Sequence, residues 1–226
     1  MAHATVPATF EGQSKGRKLK LTLTTLTWAA IVLAAFSFVF KYVFFYYRHY
    51  DPVSFDIYWP RRGWLFVHIT AGTLALLTGP MQFWTGLRRK NLTFHRWTGR
   101  LYLVGVGTGI IGAIALSVTT TFDWGVVNGI RFLALAWFVV TAMAYYTIRK
   151  GLVALHKEWM IRSYVVTFAF VTFRFLQDYT PLSRVRPEGD RDTTIAWACW
   201  ALPLAVTEMV FQLKRLRIAL AARQPQ

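Results

Sequence analysis

The run GWLFVHITAGTLALLTGPMQFWTG, Gly63–Gly86, decides the architecture. It stays apolar for about the length that crosses a hydrocarbon core of ~30 Å. Five further segments share its character: Leu21–Tyr46, Thr98–Thr120, Asn128–Ile148, Glu158–Thr180 and Thr194–Leu213. Each is expected to be helical, because an open strand in lipid leaves backbone hydrogen-bonding groups unsatisfied. The expected fold class is all-α, a polytopic bundle of six transmembrane helices. In a chain of 226 residues this leaves only tails, 1–20 and 214–226, around a membrane domain spanning 21–213. No separate soluble catalytic module fits, so any chemistry must sit in or beside the bundle.

The formal net charge of +16, from 26 basic and 10 acidic residues, would suggest a nucleic-acid partner in a soluble protein. Its distribution argues otherwise. Lys15, Arg17, Lys18, Lys20, Arg88, Arg89, Lys90, Arg96, Arg100, Arg149, Lys150, Lys157, Arg162, Lys214, Arg215, Arg217 and Arg223 fall at one side of the six spans. The other side carries Arg48, Arg61, Arg62, Arg184, Arg186 and Arg191, offset by Asp51, Asp56, Asp123, Asp178, Glu188, Asp190 and Asp192. The positive excess orients both termini to the cytoplasm, N-in and C-in, in a multi-pass protein of the cell membrane. Membrane lipid is the partner this charge implies. No segment outside the bilayer is large enough for a basic, base-stacking face, which excludes nucleic acid. Met1–Lys20 precedes a full span without a small-residue cleavage site, so the first span is expected to be an uncleaved anchor. Aromatic clusters at Phe44–Tyr50, Tyr58-Trp59 and Trp64 suit an interfacial belt, with Phe55–Trp59 resting on the outer headgroups. Cys199 is the only cysteine, so no intrachain disulfide or cysteine-rich metal site is possible.

His3 and His49 lie in a tail and at an outer surface, where an imidazole needs no function. His68, His95 and His156 are different, because a polar ring in or near hydrocarbon is costly unless paired or liganded. At about 100° per residue, span two aligns His68, Gly72, Ala75, Gly79, Gln82 and Gly86 on one stripe of small residues. That stripe either packs closely on a neighbouring helix or receives a flat cofactor or quinone ring. Span three repeats the pattern with His95, Gly99, Tyr102, Gly109 and Ala113. If span five is one continuous helix, His156, Ser163, Thr167, Arg174 and Asp178 share a face toward the bundle interior. Arg174 then pairs with Asp178 one turn on, or clamps an anion. Glu208 in span six needs a partner or a proton, and Arg162, His95 and His156 are expected at its depth.

Three motifs in order, HITAGTLALLTGPMQF at His68–Phe83, HRWTGRLY at His95–Tyr102 and HKEWMIRSY at His156–Tyr164, followed by Arg174, resemble the bacterial membrane proteins grouped as domain of unknown function 2306. That resemblance implies a multispanning protein and no established activity. His-Arg-x-x-Gly at His95 and the glycine-lined faces are more distantly similar to haem-b bundles of the cytochrome b561 and ferric-reductase type.

Three readings stay open. In a redox protein, His95 and His156 are metal ligands holding one haem b, Arg100 or Arg162 contacts its propionates, and a quinone exchanges electrons. In a small-solute or proton-coupled carrier, the ligand meets His68, Gln82 and Arg174, with Glu208 as a proton site. In a non-catalytic assembly subunit, these polar groups only fix helix register. No phosphate loop, catalytic triad or HEXXH motif assigns a catalytic residue.

Overall fold

The computed structural model describes residues 8–88 and 91–223, which are helical apart from short connections, with no strand among them. Helix α1 (Ala8–Phe38) runs on through a π-helical turn, Val39–Val43, into α2 (Phe44–Arg48). The short α3 (Pro52–Phe55) and a 3-10 turn (Asp56–Arg61) lead into α4 (Arg62–Arg88). Then follow α5 (Leu92–Thr119), α6 (Trp124–Arg149), α7 (Val153–Thr167), α8 (Ala169–Tyr179) and, after a 3-10 turn at Pro181–Arg184, α9 (Glu188–Ala221). Five helical stretches are each long and apolar enough to cross a membrane, and α7 with α8 passes the same test as a pair bent by 41°. This is a multi-pass membrane protein. His3, Arg89 and Lys90 lie outside the described residues.

The α4–α5 hairpin is the closest pairing. A Cβ at Gly105 would stand 2.9 Å from the Ala71 carbonyl oxygen, and one at Gly112 would stand 2.9 Å from the His68 backbone nitrogen, so only glycine permits this approach. Gly105 and Gly112 lie off the span-three stripe read from the sequence; of that stripe Gly99 meets Gln82, whereas Gly79 of span two faces Tyr164 of α7 and Gly109 mainly Trp137 of α6, so the two stripes pack on each other only in part. Helix α6 lies beside α5 and α7, and α7 closes the ring on α4 through the Tyr164 hydroxyl, which donates to the Leu76 carbonyl at 3.1 Å. Tyr102, Leu133, Trp137, Val140 and Val166 fill the centre. Helix α9 covers α6 and α8. Helix α1 packs against α4 and α8, with Ala35 buried and Trp28 against Phe83.

Two expectations change. Span five is not one continuous helix. Its break at Phe168 follows Thr167, whose hydroxyl donates to the Ser163 carbonyl at 2.8 Å, a local competitor that bends helices. Phe55–Trp59 does not simply rest on headgroups: Phe55 is 1% exposed, caged by the rings of Tyr46, Tyr50, Trp59 and Phe66. Asp51 sets this turn by accepting from the Val53 and Ser54 amides at 3.0 and 2.9 Å, and the Ser54 amide foremost holds its carboxyl below the usual range. Helix α1 begins at Ala8, inside the stretch 1–20.

Candidate functional site

The bundle has an aromatic end, bearing Tyr50, Phe55 and Trp59, and a basic end, bearing Arg96, Lys150 and Lys214. A cavity of about 190 Å³ lies in the aromatic half, walled by Tyr42 and Tyr46, by His68 and Gly72 of α4, by Ser117 of α5, by Trp137 of α6 and by Phe170 and Arg174 of α8. Its surface is mostly hydrocarbon and aromatic. The His68 Nδ1 lies 2.8 Å from the Gly109 carbonyl, which only accepts, so Nδ1 carries a proton, and in an uncharged ring Nε2 is then the acceptor. The same close α4–α5 approach that demands Gly112 brings this carbonyl within reach.

Arg174 donates to the Gln177 side chain at 2.8 Å and lies 5.0 Å from the centre of the Tyr42 ring. It makes no ion pair among the described residues. The expected Arg174–Asp178 pair is not formed: Asp178 accepts from the Lys41 ammonium at 3.3 Å and from the Tyr42 hydroxyl. The break at Phe168 ends the shared stripe, and the π turn carries Lys41 and Tyr42 across to α8. Lys41 and Tyr42 are the residues that sequence reasoning missed. A lysine in an apolar span is itself a signal, since it calls for an acid at its own depth.

Beneath the cavity a hydroxyl network ties α5, α6 and α7 together. The fully buried Tyr102 hydroxyl meets Ser163 at 2.7 Å and Thr167 at 2.8 Å, Thr141 meets Ser163 at 2.7 Å, and the Trp137 indole donates to Thr167 at 2.8 Å. Every group in this chain is satisfied, so it forms a rigid floor.

The other sequence-selected residues occupy the basic half. Gln82 donates to the His95 carbonyl at 2.9 Å and to Thr98, while the His95 Nδ1 meets the Thr85 hydroxyl at 2.9 Å. The His156 Nδ1 donates to the Ala144 carbonyl at 2.8 Å. Arg162, 6% exposed, lies between the Trp159 and Phe211 rings and donates to Glu208 at 2.6 and 2.9 Å, with Glu158 at 3.6 Å. Glu208 thus has the arginine partner that its depth demanded, and Arg162 is committed to it. Arg100 is exposed and stacks on Trp97. No group of three or more His, Cys, Asp or Glu side chains able to hold a metal occurs among the described residues.

A family model described as predicted membrane protein (DUF2306) matches residues 65–211. The chain belongs to this family. The DUF2306 match takes in α4 from Leu65 through most of α9, and with it His68, His95, His156, Arg174 and Glu208, whereas Lys41 and Tyr42 lie before it. No curated protein and no solved structure matches the chain.

Proposed function

We propose that the protein binds a small amphipathic molecule in the cavity of its aromatic half, as a carrier or receptor for a membrane-borne solute. One observation carries this reading: Arg174 lines an apolar cavity without a carboxylate partner among the described residues. Arg174 has a neutral acceptor in Gln177 and the Tyr42 ring beside it but no carboxylate in ion-pair contact, so its charge is left for an anionic or oxygen-bearing ligand, and an apolar pocket with a few convergent polar groups is the usual form of a ligand site. Helix packing accounts for the glycine stripes but not for this cation. The loop charges favour a cavity in the outer half of the membrane, with both termini cytoplasmic and α7–α8 crossing as one bent span. Thermal-shift measurements in lipid nanodiscs, with a panel of medium-chain carboxylates, phenols and quinones, test the proposal. At least one class should stabilise the wild type, and Arg174→Gln should weaken that ligand tenfold or more. Affinity unchanged in Arg174→Gln overturns it.

A second reading attaches to the basic half, where His95 and His156 would hold one haem b or a single metal ion. In its favour, both Nδ1 atoms are held by oxygen partners, as in imidazoles oriented for ligation through Nε2. The expected propionate contact at Arg162 does not fit, because Glu208 occupies that guanidinium. Bound haem b would supply one-electron redox chemistry. The absorption spectrum of purified protein before and after dithionite decides: sharp reduced bands abolished by His95→Ala or His156→Ala, and kept in His68→Ala, support it, and a featureless spectrum ends the haem form of this reading.

A further inference from the structure

We infer that the ligand is a ring-headed amphiphile of the quinone and quinol class, admitted from the lipid between α1 and α8 through a gate formed by Lys41, Tyr42 and Asp178. This rests on the cavity being a binding site and names what fills it and by which route.

The head-group argument is chemical. Arg174 offers donors, whereas the neutral His68 offers an acceptor at Nε2. A carboxylate satisfies the first and leaves the second facing hydrocarbon. A quinol-type ring carries oxygens on opposite edges, so one hydroxyl can donate to His68 while the other oxygen accepts from Arg174. The walls suit a flat ring. A Cβ at Gly72 would meet nothing within 4 Å, so the wall there is open, and Phe170 and Trp137 line the same cavity.

The route follows from size and packing. A cavity of about 190 Å³ is below the ~300–1,000 Å³ of sites that enclose a drug-sized molecule, so it takes a ring and not a long tail. A tail has to leave into the bilayer. The α1–α2 span is only 11% buried, against 33–44% for the spans containing α4, α5 and α6, yet it forms a cavity wall through Phe38, Tyr42, Val43 and Tyr46. Opposite it, α8 contributes Phe170, Val171 and Arg174. The seam between them is closed by Asp178, which takes Lys41 at 3.3 Å and the Tyr42 hydroxyl. Lys41 is 54% exposed, so this latch lies on the lipid-facing side of the wall and not in the core. Both of its α1 residues belong to the π turn, a geometry that interrupts the regular ladder and recurs at functional sites. Tyr42 joins latch to head site, since its ring lies against the Arg174 guanidinium while its hydroxyl holds Asp178. An oxygen arriving at Arg174 competes with that ring and loosens the gate.

The test uses 2,3-dimethoxy-5-methylbenzoquinone with and without a decyl chain, both quinones supplied pre-reduced to the quinol, the form able to donate to His68, and held without oxygen or added reductant, and decanoate, on protein in nanodiscs. In a Cys199→Ala background, Lys41→Cys and Asp178→Cys are joined by a disulfide, verified by proteolysis and gel, and compared with the Cys199→Ala parent. The parent should bind both quinones, and the joined protein should keep the tail-less ring within twofold while losing the decyl form at least tenfold. A second variant guards against distortion by the cross-link: Asp178→Asn, which weakens the latch, should speed association of the decyl form several-fold. Retention of the decyl form by the joined protein, loss of both quinones from it, or an unchanged association rate in Asp178→Asn each overturns the lateral gate. Binding of decanoate but of neither quinone overturns the ligand class and leaves the binding proposal standing. If nothing in the panel binds the parent, the binding proposal itself falls.

Discussion

Single residues here divide by whether their polar atoms are already satisfied. Tyr102, Ser163, Thr141 and Thr167 close on one another, and Arg162 closes on Glu208, so their role is to hold helices in register. Tyr102→Phe deletes the hydroxyl at the centre of that network and leaves buried neighbours short of a partner. The expected loss is about 1–3 kcal/mol, the usual penalty for an unsatisfied buried group, read as a lower midpoint of thermal unfolding in detergent. Tyr145→Phe, at an exposed ring that only meets Arg149, should fall within ~0.5 kcal/mol of wild type. Equal shifts in both would mean that the network adds no rigidity. The sequence made His95, Gly99, Tyr102, Ser163, Thr167 and Arg174 visible because membrane depth makes polar atoms conspicuous. It misdirected Asp178, because the partner choice depends on two helix irregularities, the break at Phe168 and the π turn at Val39–Val43, that no periodic pattern encodes.

At the scale of elements, hydropathy located the lipid better than it located helix ends. Helix α5 begins at Leu92 and not Thr98, because Arg96 and Arg100 dilute the apolar window although they continue the helix. Likewise α9 extends from Glu188 to Ala221, well beyond Thr194–Leu213, with Pro203 inside it. Glycine periodicity marked part of the α5 face that meets α4, at Gly99, but the closest approaches fall at Gly105 and Gly112, which that stripe left out. That contact yields a paired expectation on a single helix. Gly105→Ala sets a methyl against the Ala71 carbonyl and the Ala75 amide, backbone atoms that cannot swing aside, and should destabilise the hairpin. Gly107→Ala meets nothing within 4 Å and should be neutral or stabilising by up to ~1 kcal/mol through helix propensity. Detergent unfolding midpoints of the two variants decide the matter, and the reverse order would mean that α4 and α5 do not approach as described.

For the whole molecule, charge asymmetry and the bent pair combine into one topological expectation. Lys150 lies between α6 and α7, Thr121 between α5 and α6, and Arg223 just past α9. If the basic end is cytoplasmic and α7–α8 crosses as one bent span, cysteines at Lys150 and Arg223 share the inner side while a cysteine at Thr121 is outside. If α7–α8 instead dips in and returns, α9 starts from the inner side and carries Arg223 outward. A membrane-impermeant thiol reagent on intact cells, in a Cys199→Ala background, separates these arrangements. Labelling at Thr121→Cys alone is the expected result. Labelling at Lys150→Cys would invert the whole bundle and put the cavity in the inner half, moving the source of its ligand to the other leaflet. Labelling at both Thr121→Cys and Arg223→Cys would make α7–α8 a re-entrant pair. In that case Arg174, on the returning arm, would sit at the wrong depth to share one outer cavity with His68, and the site built from both would have to be abandoned.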